Sequence, residues 1–149
     1  MAIETERKFL VKGDFQHLAI KNEQIRQAYL SVDPSRTIRL RITGEKAFLT
    51  VKSGLPADSI SRLEWELEVQ PSEAEEMMNI CIPGKIIKTR FYVPCGKHIY
   101  EVDVFHDKNE GLIIAEIELS EESELFERPE WLGEEVTGNP AYYNSNLIK

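Results

Sequence analysis

The chain has 149 residues, of which 42% are hydrophobic and 30% charged, a composition typical of one folded domain rather than of a disordered chain. Its 18 basic and 26 acidic residues give a net charge of −8, which argues against nonspecific binding to nucleic acid or to an anionic membrane. No apolar run approaches the roughly 20 residues that span a bilayer, and the N-terminus lacks the apolar core of a secretory signal. The two cysteines, Cys81 and Cys95, do not form a Cys-x-x-Cys motif, so we expect reduced thiols and a cytoplasmic location.

Short turn signals divide the chain into segments of strand length. Connections such as Thr43-Gly44-Glu45-Lys46 are short enough for hairpins, which favours antiparallel pairing. The predicted strands are 2–12, 22–32, 36–43, 46–53, 60–70, 84–94, 97–106 and 112–119.

One helix is predicted over residues 71–81. Ser72 is its expected N-cap, and Glu75 follows three residues later, as in a capping box. The tail from Glu121 is predicted to be helical in parts, with breaks at its prolines and glycines. About eight strands with few helices indicate an all-β or α+β barrel.

Charged and apolar side chains alternate on most of the predicted strands. In 36–43, for example, Arg39 and Arg41 alternate with Ile38 and Leu40. For any single strand, the ordinary interpretation is one buried face and one solvated face. A solvated face normally mixes charged residues with Ser, Thr and Gln, whereas six strands here are almost purely charged on that face, with bases and acids segregated by strand. The pattern therefore favours charged faces that line the inside of a closed barrel.

Such a barrel would hold nine acids and seven bases, an excess of acid that predicts repulsion among the carboxylates when no cation is present. Carboxylates at i and i+2, as at Glu4 and Glu6, lie about 6.5–7 Å apart on one face and suit Mg²⁺ or Mn²⁺. Bases at the same spacing suit phosphate oxygens, and the combination is typical of phosphoryl transfer. The acids are Glu4, Glu6, Glu64, Glu66, Glu68, Glu101, Asp103, Glu116 and Glu118, and the bases are Lys8, Arg39, Arg41, Lys52, Arg62, Lys88 and Arg90.

Motifs for other chemistries are absent from the sequence. It contains no Gly-x-x-x-x-Gly-Lys or Gly-x-Gly-x-x-Gly nucleotide loop and no Gly-x-Ser-x-Gly elbow. The three histidines, His17, His98 and His106, show no metal-ligand spacing.

The segment Glu4-Thr5-Glu6-Arg7-Lys8 resembles the Glu-x-Glu-x-Lys signature of the CYTH superfamily, the triphosphate tunnel metalloenzymes. The resemblance covers nearly the whole chain in the order of the family's motifs, and it is strongest to the compact bacterial members without an appended domain. The further matching segments are QAYL at 27–30, IRLR at 38–41, LTVK at 49–52, EWE at 64–66, KTRF at 88–91, EVDVF at 101–105, AEIE at 115–118 and WLGEEVT at 131–137.

The resemblance implies an α+β fold in which an eight-stranded antiparallel β-barrel forms a tunnel with a charged interior and a few peripheral helices. It also implies hydrolysis of a triphosphate with one or two Mg²⁺ or Mn²⁺ ions. By the same resemblance, the metal ligands are Glu4, Glu6, Asp103, Glu116 and Glu118; the phosphate-binding residues are Lys8, Arg39, Arg41, Lys52, Lys88 and Arg90; and the residues near the reacting phosphate are Lys88, Tyr29, Glu64 and Glu66.

We therefore expect a metal-dependent inorganic triphosphatase with a single domain over residues 1–149. Its partner would be a small-molecule triphosphate, with no nucleic acid and no membrane, and a homodimer is left open. The enzyme alternatives are a class IV-type adenylate cyclase and a thiamine or nucleoside triphosphatase, and the non-enzyme alternative is a polyphosphate-binding barrel. Two roles also stay open: Tyr29 as a wall aromatic or a hydrogen-bond donor, and Lys88 as a clamp residue or a stabiliser of the leaving oxygen.

Overall fold

The computed structural model describes residues 2–148, which form one sheet, one α-helix and four single-turn 3₁₀ helices. No helix in this part of the chain is long and apolar enough to cross a membrane. The helix α1 spans Pro71–Met78, and the 3₁₀ turns lie at Gln16–Leu18, Asp107–Asn109, Pro140–Tyr142 and Asn144–Asn146. The strands are β1 (Ala2–Val11), β2 (Lys21–Asp33), β3 (Arg36–Thr43), β4 (Lys46–Ser53), β5 (Ser61–Val69), β6 (Ile86–Cys95), β7 (His98–Phe105), β8 (Ile113–Glu118) and β9 (Leu132–Glu135).

Eight of these strands close into an antiparallel barrel, which confirms the predicted fold. Around the barrel the order is β1-β5-β4-β3-β2-β6-β7-β8, and β8 pairs with β1 to complete the ring. The pairing of β1 with β5 is short, from Ala2 opposite Glu64 to Thr5 opposite Ser61. Closure leaves no open edge between these strands, so their inward faces enclose a space.

Strand β1 has three neighbours because one of its edges is shared. Residues 6–10 pair with β8, whereas on the other edge the first residues pair with β5 and the last with β9. Gly133 permits this approach, since a Cβ there would lie 2.8 Å from the carbonyl oxygen of Leu10. The prediction of a partly helical tail is wrong for β9, because Leu132–Glu135 is too short to show an alternation and gains its partner only in the folded barrel.

The helix α1 differs from its prediction at both ends. Gln70 is the N-cap and makes no side-chain capping hydrogen bond, so the capping box at Ser72 is wrong. Pro71 occupies the first turn, where a backbone N–H would have no intrahelical acceptor, so the lack of an N–H in proline costs no hydrogen bond. The helix ends at Met78, before the predicted residue 81. Its buried face packs outside β2, β3 and β4 in a cluster of Ala28, Leu40, Ile42, Ala47, Ala74 and Met78.

Two further apolar clusters complete the fold. In the first, Tyr100 and Trp131 meet edge to face with ring centroids 5.3 Å apart, which ties the segment before β9 to β7. The second anchors Leu147, near the C-terminus, against β2, β6, β7 and β8. Burying a side chain of this size stabilises a fold by about 1.5–3 kcal/mol, so the C-terminal residues are held firmly against the barrel. The members of this second cluster are Tyr29, Ile86, Phe105, Ile114 and Leu147.

Candidate active site

A cavity of about 560 Å³ lies within the barrel, and all eight barrel strands contribute to its wall. The alternation in the sequence explains this wall, since every second side chain of a barrel strand points inward. Most of the site residues predicted from the sequence are brought together here. Those that line the cavity are Glu4, Glu6, Lys8, Tyr29, Arg39, Arg41, Lys52, Glu64, Glu66, Arg90, Glu116 and Glu118.

The remaining two predicted site residues, Lys88 and Asp103, lie behind the wall. Both side chains are almost completely buried and neither lines the cavity. The prediction that Glu68 lies inside the barrel, made from the alternation on its strand, is wrong. Glu68 is exposed and lies outside the cavity, since β5 continues past Glu66 towards α1.

Two guanidinium groups on β3 form the basic part of the wall. Arg39 donates from Nη2 to Thr50 Oγ1 at 3.3 Å, and the Nε atoms of Arg39 and Arg41 are buried without a hydrogen-bond partner. Burial, together with the charges of Arg39 and Arg90, lowers the pKa of Arg41 to about 10. Within residues 2–148, neither Arg39 nor Arg41 forms a salt bridge. This part of the wall therefore carries positive charge that the protein does not neutralise, and an anion would stabilise it.

Carboxylates of β1 and β8 form the acidic part of the wall. Glu6 lies opposite Glu118 in the strand register. Burial, reinforced by the charges of Glu116 and Glu4, raises the pKa of Glu6 to about 8. Burial and the charge of Glu4 also raise the pKa of Glu118. Glu6 thus keeps its proton near neutral pH because it is removed from water and because neighbouring carboxylates repel its charge. For Glu116 the effect of burial is outweighed by Lys8 and Arg90, which hold the pKa of its carboxyl well below its usual range.

This acidic wall has the donor chemistry that a divalent metal ion requires. Hard cations prefer carboxylate oxygens, and a cation beside Glu6 would relieve the repulsion that raises its pKa. Within the described residues, no group of three His, Cys, Asp or Glu is arranged to hold an ion. The donor set fits Mg²⁺ or Mn²⁺, and side-chain rotation would have to bring the carboxylates onto the ion.

Glu4 forms a cluster with two bases, which we call the Glu4 cluster (Glu4, Lys52 and Arg62). Its carboxylate accepts from Lys52 Nζ at 2.8 Å and from Arg62 Nε at 3.3 Å. Burial alone would raise the pKa of Glu4, but Lys52 and the hydrogen bonds outweigh it and lower the pKa to about 2. Burial and the charge of Glu4 raise the pKa of the adjacent Glu64 to about 7. Glu64 can therefore exchange a proton near neutral pH.

Asp103 forms the second such cluster, the Asp103 cluster (Asp103, Lys88 and Arg90). Asp103 accepts from Arg90 through both oxygens, at 2.8 and 2.9 Å, and lies 2.7 Å from Lys88 Nζ. Burial lowers the pKa of Lys88 to about 7, although Asp103 acts in the opposite direction. Both carboxylate oxygens of Asp103 thus already contact the side chains of Arg90 and Lys88. Asp103 could bind a metal ion only if it released one of these contacts.

The C-terminal segment contributes site residues that the sequence pattern does not indicate. Residues 143–146 line the cavity, and Lys8 Nζ donates to the carbonyl oxygen of Tyr142 at 3.1 Å. Asn144 Oδ1 accepts from Lys88 Nζ at 3.3 Å. These residues follow no alternation or spacing that could have identified them, and tertiary contacts such as the packing of Leu147 bring them to the barrel.

Thr50 is also missing from the predicted site. Its hydroxyl accepts from Arg39 and donates to Glu66 Oε2 at 3.1 Å, so it links the basic wall to a carboxylate of β5. A signal existed, because Thr50 lies two residues before Lys52 and therefore on the same strand face.

Comparisons with known proteins agree with this geometry. The inorganic triphosphatase of Acetivibrio thermocellus is 43% identical over 150 residues, which cover 100% of this chain and 95% of that protein. The inorganic triphosphatase of Nitrosomonas europaea is 35% identical over 149 residues, with 97% and 95% covered. A solved crystal structure of an inorganic triphosphatase matches with a TM-score of 0.69 and 31% identity, covering 97% of this chain and 96% of that one. The model of the CYTH domain family matches residues 2–146, and the chain therefore belongs to this family.

Proposed function

We propose that this protein is an inorganic triphosphatase that hydrolyses tripolyphosphate to pyrophosphate and phosphate with a divalent metal ion. The main supporting observation is the pair of half-buried arginines Arg39 and Arg41, whose Nε atoms are buried without a partner and which line a cavity whose other wall is acidic. Buried positive charge without a carboxylate partner favours a polyanionic ligand. The names of the two curated relatives support the same activity. A cytoplasmic location and a homodimer stay predictions.

The basic side chains of the cavity would bind the phosphate chain. Arg39 and Arg41 offer planar donors to phosphate oxygens, and Arg90 is fixed by its two bonds to Asp103. Lys8 now donates to a backbone carbonyl oxygen and Lys52 to the carboxylate of Glu4. Both lysines would give up part of these contacts and donate to phosphate oxygens instead. Together these groups would hold the terminal phosphoryl group in line for attack and stabilise its charge.

The metal ion would be held by carboxylates of β1 and β8, namely Glu4, Glu6, Glu116 and Glu118. When bound, Mg²⁺ or Mn²⁺ supplies charge neutralisation and polarises the phosphoryl oxygens. Asp103 stays a predicted ligand, although its present role is to hold Arg90 and Lys88.

Glu64 would act as the general base. Its raised pKa, about 7, lets it take a proton from water as the water oxygen bonds to the terminal phosphorus. The bond from that phosphorus to the bridging oxygen then breaks, and pyrophosphate leaves. Tyr29 can donate a hydrogen bond to a phosphate oxygen, because burial raises its pKa and keeps its hydroxyl protonated. Glu66, oriented by Thr50, would help to place the water.

The direct test is release of phosphate from tripolyphosphate, ATP, thiamine triphosphate and pyrophosphate, with Mg²⁺ and then with Mn²⁺. We expect the highest kcat/KM for tripolyphosphate, slow hydrolysis of pyrophosphate, and no turnover in excess EDTA. A kcat/KM for ATP or thiamine triphosphate above that for tripolyphosphate would contradict the substrate assignment. Cyclic AMP formed from ATP would indicate a cyclase instead.

A matched pair of arginine variants tests whether an arginine of the cavity wall binds the phosphate chain. Arg39→Gln should lower kcat/KM for tripolyphosphate about 10–100-fold, since a charge-assisted hydrogen bond contributes about 1.5–3 kcal/mol. Arg26→Gln is the control, because Arg26 is an exposed arginine that pairs with Glu75 outside the barrel. Equal effects of the two changes would rule out a specific role for Arg39.

A further inference from the structure

The side chain of Asn144 bridges two buried residues that do not themselves line the cavity. Its Oδ1 accepts from Lys88 Nζ and from Gln27 Nε2, both at 3.3 Å. Lys88 and Gln27 are 0% exposed, whereas Asn144 belongs to the cavity wall. Because an ammonium group only donates, the oxygen of the Asn144 amide must be the atom that faces Lys88. Asn144 is thus the contact between the cavity wall and the buried lysine.

The position of Asn144 is fixed by anchors on both sides along the chain. Leu147 packs in the apolar cluster against four strands, and its carbonyl oxygen accepts from Asn109 Nδ2 at 2.8 Å. On the N-terminal side, the carbonyl oxygen of Pro140 accepts from Asn146 Nδ2 at 2.8 Å, and this bond closes the segment on itself around Asn144. The bridge therefore belongs to a packed structure and not to a loose end of the chain.

The contacts of Lys88 hold its ammonium group directly behind the cavity wall. A charged lysine has three N–H donors. Asp103 lies 2.7 Å away and Asn144 accepts at 3.3 Å, and no third acceptor is within hydrogen-bond distance among residues 2–148. These contacts, with the Phe105 ring centroid 5.4 Å from Nζ, hold the ammonium beside the Asn144 amide, which belongs to the cavity wall.

We propose that Asn144 is a positioning residue for the hydrolysis proposed above: its Oδ1 holds the Lys88 ammonium directly behind the cavity wall, so that the charge of Lys88 stabilises the departing pyrophosphate across that wall. The inference rests on the proposed function. Asn144 contacts no reacting atom in this arrangement and acts through Lys88. Its loss should therefore slow the chemical step more than it weakens substrate binding.

A double-mutant cycle with tripolyphosphate tests this role, using wild type, Asn144→Leu, Lys88→Met and the double variant. Asn144→Leu should lower kcat about 10–100-fold, since misplacement by about 1 Å can cost about 100-fold. KM should change less than about threefold, because the wall arginines are untouched. In the Lys88→Met background, Asn144→Leu should cause no further loss, because it has no lysine left to position.

Two controls separate positioning from a structural role. Asn144→Asp keeps an acceptor oxygen and should retain most of kcat, whereas Asn144→Ala should behave like Asn144→Leu. Tyr100→Phe breaks a hydrogen bond to the carbonyl oxygen of Glu127 in a different apolar cluster, away from Asn144 and Lys88, so any loss it causes should persist in the Lys88→Met background. Thermal unfolding of each variant shows which of them are folded.

Each outcome supports or overturns the inference. Losses that add in the cycle, or an Asn144→Asp variant as slow as Asn144→Ala, overturn the positioning role while the triphosphatase activity stands. If Lys88→Met has no measurable turnover, or if Asn144→Leu does not fold, the comparison of Asn144→Asp with Asn144→Ala decides. A wild-type protein without activity on tripolyphosphate overturns the proposed function and this inference together.

Discussion

The Glu4 cluster and the Asp103 cluster have the same composition, one carboxylate with one lysine and one arginine, but they differ in access to water. In the Glu4 cluster the side chains are 9%, 11% and 25% exposed, for Glu4, Lys52 and Arg62. In the Asp103 cluster the corresponding values are 1%, 0% and 7%. The first cluster therefore opens into the cavity, whereas in the second only Arg90 reaches the wall and Asp103 and Lys88 lie behind it.

The difference in burial predicts that two clusters of the same composition respond differently to a ligand. A charge pair that borders water can exchange its contacts for a ligand at small cost. A pair removed from water cannot, because the group left behind would be an unpaired buried charge. We therefore expect the Glu4 cluster to rearrange when substrate and metal bind, and the Asp103 cluster to stay intact and hold Arg90 and Lys88 in place.

Asp103→Asn should have the largest effect on stability. It removes the charge that Arg90 and Lys88 share, and breaking a buried pair typically costs about 3–5 kcal/mol. Unfolding in urea, monitored by circular dichroism, measures the change. A loss of stability no greater than that of Glu4→Gln would contradict the distinction between the clusters.

Glu4→Gln should have a smaller effect, about 1–2 kcal/mol, because its partners border the cavity and keep some hydration. The pKa of Glu4 is lowered to about 2, so its ionised form stabilises the fold above its ordinary value of 4.5, and this contribution is lost as the pH falls towards 2. The difference in urea midpoint between wild type and variant should therefore shrink from neutral pH to about pH 3. A difference that stays constant over this range would show that the charge of Glu4 is not its source.

Glu6→Gln should act in the opposite direction. The pKa of Glu6 is raised to about 8, so the wild-type protein loses stability as the pH rises from 4.5 to 8 and the carboxyl group ionises against its neighbours. In metal-free buffer at about pH 8 the variant should melt a few degrees higher, and at about pH 4 the two should melt together. Mg²⁺ or Mn²⁺ should raise the melting temperature of wild type more than that of Glu6→Gln. A variant that melts lower in metal-free buffer would show that Glu6 is a structural partner and not part of an uncompensated acidic wall.

Glu75→Gln should have the smallest effect and serves as the reference for an exposed pair. Glu75 contacts Arg26 on the outside of the barrel, where both side chains remain hydrated. Its urea midpoint should match that of wild type within error, since surface ion pairs contribute little. A shift as large as that of Glu4→Gln would mean that burial is not what separates these pairs.

Much of the barrel was predictable because alternation is a local property of each strand. Arg39 and Arg41 share one face of β3 because they lie two residues apart, and that face lines the cavity. The same spacing places Glu4, Glu6 and Lys8 together on the inward face of β1. The expected repulsion among the carboxylates was only partly correct. It describes Glu6, whose pKa is raised, but not Glu4, whose pKa is lowered by Lys52.

The sequence by itself thus determined the barrel, through its number of strands and its family motifs, and most of the residues that face the cavity, through alternation, because side-chain direction in a strand depends on position along that strand. Tertiary structure alone decided the rest: that Asp103 is enclosed with Lys88 and Arg90, that β9 pairs with β1, and that Asn144 reaches the cavity wall. The contacts of β9 and of Asn144 join residues distant in sequence, such as Lys88 and Asn144, which are 56 positions apart. Arg90 and Asp103, in contrast, lie opposite each other in the β6–β7 hairpin, and only the closed barrel encloses them. Burial and charge pairing depend on which strands become neighbours, and the neighbours of each strand are set only when the barrel closes.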